Sequence, residues 1–194
     1  TLATFGGTES GNNLNMYVNA TSGVRLNGVS DVVTANIIAS NGVVHVVDAV
    51  IGLPTVATFA SADPSFTTLA SVLTSQGLVP TLDGTASSPF TVFAPTNAAF
   101  TALNTELAAI PLVPTAAQLT AVLQYHVVSG NVLSSTLTNN QVVPTLQGDE
   151  FTIGLTGGAT ITDANLRLSN IIAVDVQAAN GVIHVLDRVL LPTL

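Results

Sequence analysis

The chain contains no cysteine among its 194 residues. Disulfides, cysteine nucleophiles and thiolate metal sites are thereby excluded, with no implication for redox compartment. Lysine is absent as well, which rules out a phosphate-loop lysine and any Schiff-base chemistry on a lysine amine. Charged residues make up only 7% of the chain, against about 25% in an average soluble protein. Three basic residues face eleven acids, for a net charge of −8. Such a chain cannot supply the phosphate contacts that dominate nucleic-acid affinity, and an anionic leaflet repels it. No apolar run approaches the roughly eighteen residues of a membrane span. His45 and Asp48 break the stretch Val43–Ile51, and His184, Asp187 and Arg188 break Val182–Leu191. Neither nucleic acid nor membrane insertion is expected.

What is present points to a folded chain. Hydrophobic residues make up 47%, the reverse of the low-hydrophobicity, high-charge signature of disorder. The polar remainder is mostly threonine, serine, asparagine and glycine, a surface solvated by hydroxyls and amides that suits an extracellular life. The chain opens at Thr1 without an initiator methionine or a basic-plus-apolar leader, so a mature or excised piece is expected. Its length allows one domain and part of another.

Self-similarity organises the chain. Asn41-Gly42-Val43-Val44-His45-Val46-Val47-Asp48 returns 139 residues later as Asn180-Gly181-Val182-Ile183-His184-Val185-Leu186-Asp187. Each copy runs into a proline, Pro54 or Pro192, and a looser match extends back to Thr4–Gly7 against Thr145–Gly148. A repeat of domain length with its first copy this early implies that residues 1–53 are the closing part of a unit. The complete version then fills 54–194, with Gly52-Leu53-Pro54 as the seam.

Within the complete unit, Asp63 as N-cap, Pro64 at the first helical position, the stripe Phe66, Leu69, Ala70, Leu73 and the stop at Gly77 predict a helix over 64–76. Phe90–Ala94 reads as a strand, and Thr96 caps a helix reaching about Leu103. A third helix follows Pro114. Thr115 with Gln118 makes its capping box, and Leu119, Val122, Leu123 and His126 share one stripe. Beyond Gly130 come short β-branched runs, Phe151–Leu155, Ala159–Thr162, Leu166–Ile172 and Val182–Leu190, with a hairpin turn over 154–158. Helices first and strands later mark an α+β domain. In the partial unit Val24–Leu26, Val29–Ile38 and Val43–Ile51 read as strands with no helix to cover them, so a sheet face and unpaired edges are expected to lie open.

Three of these segments carry a family resemblance. Thr91-Val92-Phe93-Ala94-Pro95-Thr96-Asn97-Ala98-Ala99-Phe100, then Tyr125-His126 at a helix end, then Asn180–Asp187, resemble a fasciclin domain in order and spacing. The resemblance implies a wedge of β-strands flanked by helices, found as tandem copies in secreted or surface-attached adhesion proteins. In animal relatives, integrin-dependent adhesion is attributed to the tyrosine-histidine pair and to an Asp-Ile dipeptide before the Asn-Gly-Val motif. Here these are Tyr125-His126 and Asp175-Val176; in the partial unit the dipeptide becomes Asn36-Ile37, without the carboxylate. The resemblance therefore makes Tyr125, His126, Asp175 and Val176 the candidate binding residues, for adhesion in general and not for integrins.

The residues themselves leave a plainer alternative. His126 extends an apolar stripe, as a buried histidine bonded to backbone would. Tyr125 packs its ring and has a hydroxyl free to face either way. His45 and His184 occupy equivalent positions of two repeats, as structural residues do, and Asp175, just before a turn, reads as solvated. No Gly-x-Ser-x-Gly elbow, His-Glu-x-x-His helix or calcium loop of alternating acids occurs, so no catalytic residue, metal or cofactor is expected. The chain is expected to be a non-enzymatic extracellular adhesion or interaction module, secreted or held at the cell surface. Its expected partners are protein or glycan on a cell surface or matrix, or copies of itself. The second reading is a subunit of a surface filament or layer assembled through the incomplete N-terminal repeat.

Overall fold

The computed structural model describes residues 13–83, 89–108 and 114–193. The Thr4–Gly7 end of the repeat lies outside these residues. The helices begin where short polar side chains meet orphaned backbone donors. Thr55 opens α1 (Val56–Ala62): its hydroxyl accepts from the Thr58 N–H at 3.1 Å, while the Thr58 hydroxyl accepts from the Thr55 N–H. Asp63 then caps a 3-10 turn, Pro64–Phe66, through the Ser65 N–H at 2.8 Å, and α2 (Thr67–Ser75) follows. The predicted helix over 64–76 is therefore a tight turn leading into a shorter α-helix, with a separate helix in front of it. That first helix escaped the sequence pattern because its box closes with threonine instead of glutamate or glutamine. Gly77, at φ +65°, ends α2 in the left-handed region. After α3 (Val79–Asp83) and α4 (Asn97–Ala108), which runs past the expected Leu103, α5 (Ala116–Tyr125) starts at the predicted Thr115–Gln118 box.

Two sheets carry the strands. The smaller has the order β1 (Val18–Asn19), β2 (Arg25–Leu26), β3 (Ser30–Ala39), β4 (Gly42–Val47). The larger is built from β5 (Phe90–Pro95), β6 (Val127–Ser129), β7 (Val142–Pro144), β8 (Glu150–Gly154), β9 (Thr160–Thr162), β10 (Leu168–Ala178) and β11 (Gly181–Leu186). Its spatial order is β6-β5-β11-β10-β9-β8-β7. The strand expected over Val182–Leu190 ends at Leu186, and the one expected over Leu166–Ile172 extends to Ala178. Among the described residues only the β5–β11 pair is parallel, and β5 is buried on both faces, as a central parallel strand must be. Phe90, Val92 and Ala94 face a core with α1, α2 and Leu123, whereas Phe93 faces a second core of Tyr125, Phe151, Ile153, Ile161 and Leu186.

The sequence repeat is a repeat of structure. β3 and β4 pair as Val32↔Val47, Thr34↔Val46, Ile37↔Val44 and Ile38↔Val43. β10 and β11 pair as Ile171↔Leu186, Ala173↔Val185, Val176↔Ile183 and Gln177↔Val182, the same register with the same two irregularities. Side-chain bonds repeat too. Ser30 Oγ donates to Ala49 O as Ser169 Oγ does to Arg188 O, and Asp48 accepts from the Asp31 N–H as Asp187 does from that of Asn170. The copies differ in cover: β11 is buried almost throughout, while β4 is exposed from Gly42 to Val46. The N-terminal segment joins the larger sheet through buried Leu14 and the Asn15 N–H, which donates to Gln177 O at 2.9 Å.

Candidate functional site

Tyr125 closes α5 inside the second core and is fully buried. Its hydroxyl donates to Glu150 O at 2.8 Å and accepts from the Ala164 N–H at 3.0 Å. The ring meets Phe151 edge-on at 6.1 Å. Burial pushes the phenol up to about 12. His126, the C-cap of the same helix, is also buried. Its Nε2 accepts from the Leu190 N–H at 2.9 Å, which fixes the neutral tautomer whose Nδ1–H donates to Val122 O at 2.7 Å. Burial pushes its pKa down to about 4, outweighing the opposing pull of Val122 O and Asp163.

Asp175 is not the solvated turn residue its sequence context suggests. It sits at φ +58° in the second irregularity of β10, half-buried, and its carboxylate accepts both the N–H and the hydroxyl of Ser134. Its own N–H donates to His184 Nδ1 at 3.4 Å, leaving the His184 Nε2–H to donate to Val132 O at 2.9 Å. His184 stacks on Phe93 at 5.2 Å, and burial lowers its pKa. Both buried histidines thus use both ring nitrogens on protein atoms and offer no base to a substrate. Val176, half-buried, lines an apolar cavity of about 370 Å³ together with Tyr17, Phe59, Phe66, Leu69 and Ile183.

The two candidate pairs do not converge on one site. Tyr125 and His126 are tied to Glu150, Ala164, Val122 and Leu190, whereas Asp175 is tied to Ser134 and His184. The solvent-facing part of this region is the neighbouring stretch of β10, where Ile172 is 57% and Val174 41% exposed. Both apolar residues flank the irregular stretch of β10 that carries the fixed Asp175 carboxylate, and Ile172 also lines the rim of the cavity that Val176 enters.

Sequence reasoning did not assign Asp163 its role. This buried acid accepts the N–H groups of Asn165, Arg167 and Leu191 and pairs with Arg167 at 3.5 Å. The spacing Asp163-x-Asn165-x-Arg167 is the local signal for such an acid-centred turn. Glu106 on α4 bridges Arg167 and Arg188, and the bond from Arg188 holds its carboxyl below the usual range. Among the described residues, no three histidine, cysteine or acidic side chains form a group able to hold a metal ion.

Comparison with known proteins agrees with this architecture. The Fasciclin domain model matches residues 2–54 and again 64–192. Protein sll1483 of Synechocystis is 36% identical over 139 residues, covering 71% of this chain and 73% of that protein. The cell surface glycolipoprotein MPB83 of Mycobacterium bovis is 37% identical over 144 residues, covering 71% of this chain and 60% of its own length. A solved FAS1 domain pair from the insect cell adhesion molecule fasciclin I superposes with a TM-score of 0.62 at 24% identity, over 92% of this chain and 67% of that one. No helix of the described residues is long and apolar enough to cross a membrane. With two matches to one family model, a doubled hairpin and a mixed sheet flanked by helices, the chain belongs to the fasciclin domain family.

Proposed function

We propose that this chain is a non-enzymatic adhesion or interaction module that works outside the cell and binds protein or glycan on a cell surface or matrix. The observation that carries the reading is the exposed apolar ridge of β10, Ile172 and Val174, set against the half-buried Asp175–Val176 pair. Apolar contact area beside a carboxylate held in place by Ser134 suits a partner that is recognised without remodelling the site. Tyr125 and His126 stand apart from this surface as buried posts: their bonds tie the end of α5 to Glu150 and Leu190. The cell-surface and adhesion descriptions of MPB83 and insect fasciclin I support the placement outside the cell.

The test is attachment of cells or matrix extracts to the immobilised chain, with melting temperature measured alongside. Ile172→Ser and Asp175→Asn, the latter keeping a residue that tolerates positive φ, are expected to weaken attachment about tenfold with little change in melting. Tyr125→Phe is expected to lower the melting temperature and leave attachment intact. Unchanged attachment in both surface variants, with the fold preserved, refutes the site.

A further inference from the structure

The cavity that Val176 lines is held open by its own walls. Its floor is one face of three adjacent strands, with Val92 and Ala94 from β5, Ile183 and Val185 from β11, and Ala173 and Val176 from β10. Its roof is α1 and α2, through Phe59, Leu69 and Leu73. Two asparagines beside the central strands fix the height of that roof. Asn180, just before β11, accepts from the Val56 N–H at 2.9 Å and donates to Leu82 O. Asn97, just after β5, accepts from the Thr68 N–H at 2.9 Å and donates to Pro64 O at 2.8 Å. Tied at both ends, the helices do not settle onto the sheet at the density of an ordinary interior, and about 370 Å³ stays open between them. The two ends of this space differ. The Val92–Ile183 end is closed by buried Val56, Leu73 and Leu82. At the other end the Tyr17 phenol hydrogen-bonds the Asp63 carboxylate, which also accepts the Ser65 N–H at 2.8 Å, and the bond from Asn97 to Pro64 brings Thr96 to the same turn. Ser65, Ile172 and Ala173 are exposed there and mark the mouth. The three arginines of the chain stand elsewhere, so the mouth has a carboxylate and no basic side chain. Apart from Asn15, Met16 and Tyr17, which add to its wall, the lining belongs to residues 54–194.

We propose that this cavity is a binding site for a small apolar alcohol, whose hydrocarbon body lies between the helices and the sheet and whose hydroxyl donates to the Asp63 carboxylate at the mouth. A dry apolar cavity of about 150 Å³ takes up benzene, so a body of up to about 15 heavy atoms fits the larger space here. The apolar walls supply affinity by removing the ligand's hydrocarbon surface from water. The carboxylate supplies orientation, since Tyr17 and Ser65 leave it with lone pairs to spare. An acid of the same shape brings a second negative charge to Asp63 with no arginine to offset it, and is rejected. Ile172 stands both at this mouth and on the β10 ridge. The site itself is defined by the cavity and Asp63, and it does not depend on the adhesion reading.

The full chain, labelled at its methyl groups, is titrated at neutral pH with n-decanol and separately with decanoate, and methyl NMR shifts and melting temperature are followed. Decanol is expected to give saturable shifts at sub-millimolar concentration, confined to the lining methyls of Leu69, Leu73, Val176, Ile183 and Val185. Decanoate is expected to bind at least about tenfold more weakly. Asp63→Asn keeps a good N-cap for the Pro64–Phe66 turn and is expected to narrow that preference to about threefold or less. Ala173→Phe places a ring in the mouth and is expected to abolish the decanol shifts in a chain that still melts cooperatively. Absence of saturable binding by the full chain, or shifts spread over residues outside the cavity, overturns the proposal. So does decanoate binding as tightly as decanol, a preference that survives Asp63→Asn, or undiminished decanol binding to Ala173→Phe.

Discussion

Acidification from pH 7 to pH 4.5 should weaken the fold before most carboxylates titrate, and His126 is the main cause. In the folded chain its imidazole is buried and neutral, with a pKa near 4; in the unfolded chain it returns to about 6.5. The folded value is the lower one, so the unfolded chain binds the proton first and acid favours unfolding. The stabilisation is fully present above pH 6.5 and is lost as pH falls towards 4. At about 1.4 kcal/mol per pH unit, the gap amounts to about 3 kcal/mol. Burial of His184 acts in the same direction. In urea, with a slope of about 2 kcal/mol per molar, the unfolding midpoint should fall by about 1.5 M across the window. Urea melts at half-unit pH steps measure this loss. The His126 ring resonances, followed by NMR, should stay those of a neutral imidazole at pH 5. A midpoint that does not move between pH 7 and 5, or a His126 ring that titrates near 6.5 in the folded chain, refutes the reasoning.

The repeat supplies a matched pair of substitutions. Asn180 accepts from the Val56 N–H at 2.9 Å and donates to Leu82 O, joining β11 to α1 and α3 in the interior. Asn180→Ala should cost about 2 to 4 kcal/mol by leaving both groups unpaired, whereas Asn41→Ala, at the exposed equivalent, should stay within about 0.5 kcal/mol; chemical denaturation of the two variants checks the contrast. Tyr125→Phe keeps the ring contacts but leaves Glu150 O and the Ala164 N–H without their partner. It should lower stability by about 1 to 3 kcal/mol, measurable in the same melts.

Much of the larger sheet and its helices was legible in local chemistry. The Thr115–Gln118 box opened α5, Asp63-Pro64 marked the turn before α2, and the doubled Asn-Gly-Val motif marked two hairpins that prove to share a register. These signals act over a few residues, so they survive without tertiary context. Helix α1 was hidden because Thr58 closes its box instead of glutamate, and α4 ran beyond Leu103 because Glu106 is anchored by Arg167 and Arg188, far along the chain. Asp175 shows the limit best. Its sequence neighbours suggest a solvated acid before a turn, and nothing there records that Ser134, 41 residues away, satisfies its carboxylate.

Composition and caps were enough to read a sparsely charged, cysteine-free α+β chain, and the 139-residue repeat was enough to expect two related hairpins. Burial was decided by tertiary structure alone. The motif Asn-Gly-Val-x-His-Val is read twice with nearly the same side chains, yet one copy is sealed and the other open, because burial depends on whether a strand lies alongside. The same physics fixes the candidate site. Tyr125 and His126, which the family resemblance offered for binding and the apolar stripe of α5 offered as core, are enclosed in the folded chain, while the exposure of Ile172 and Val174 on β10 is defined only by the folded sheet.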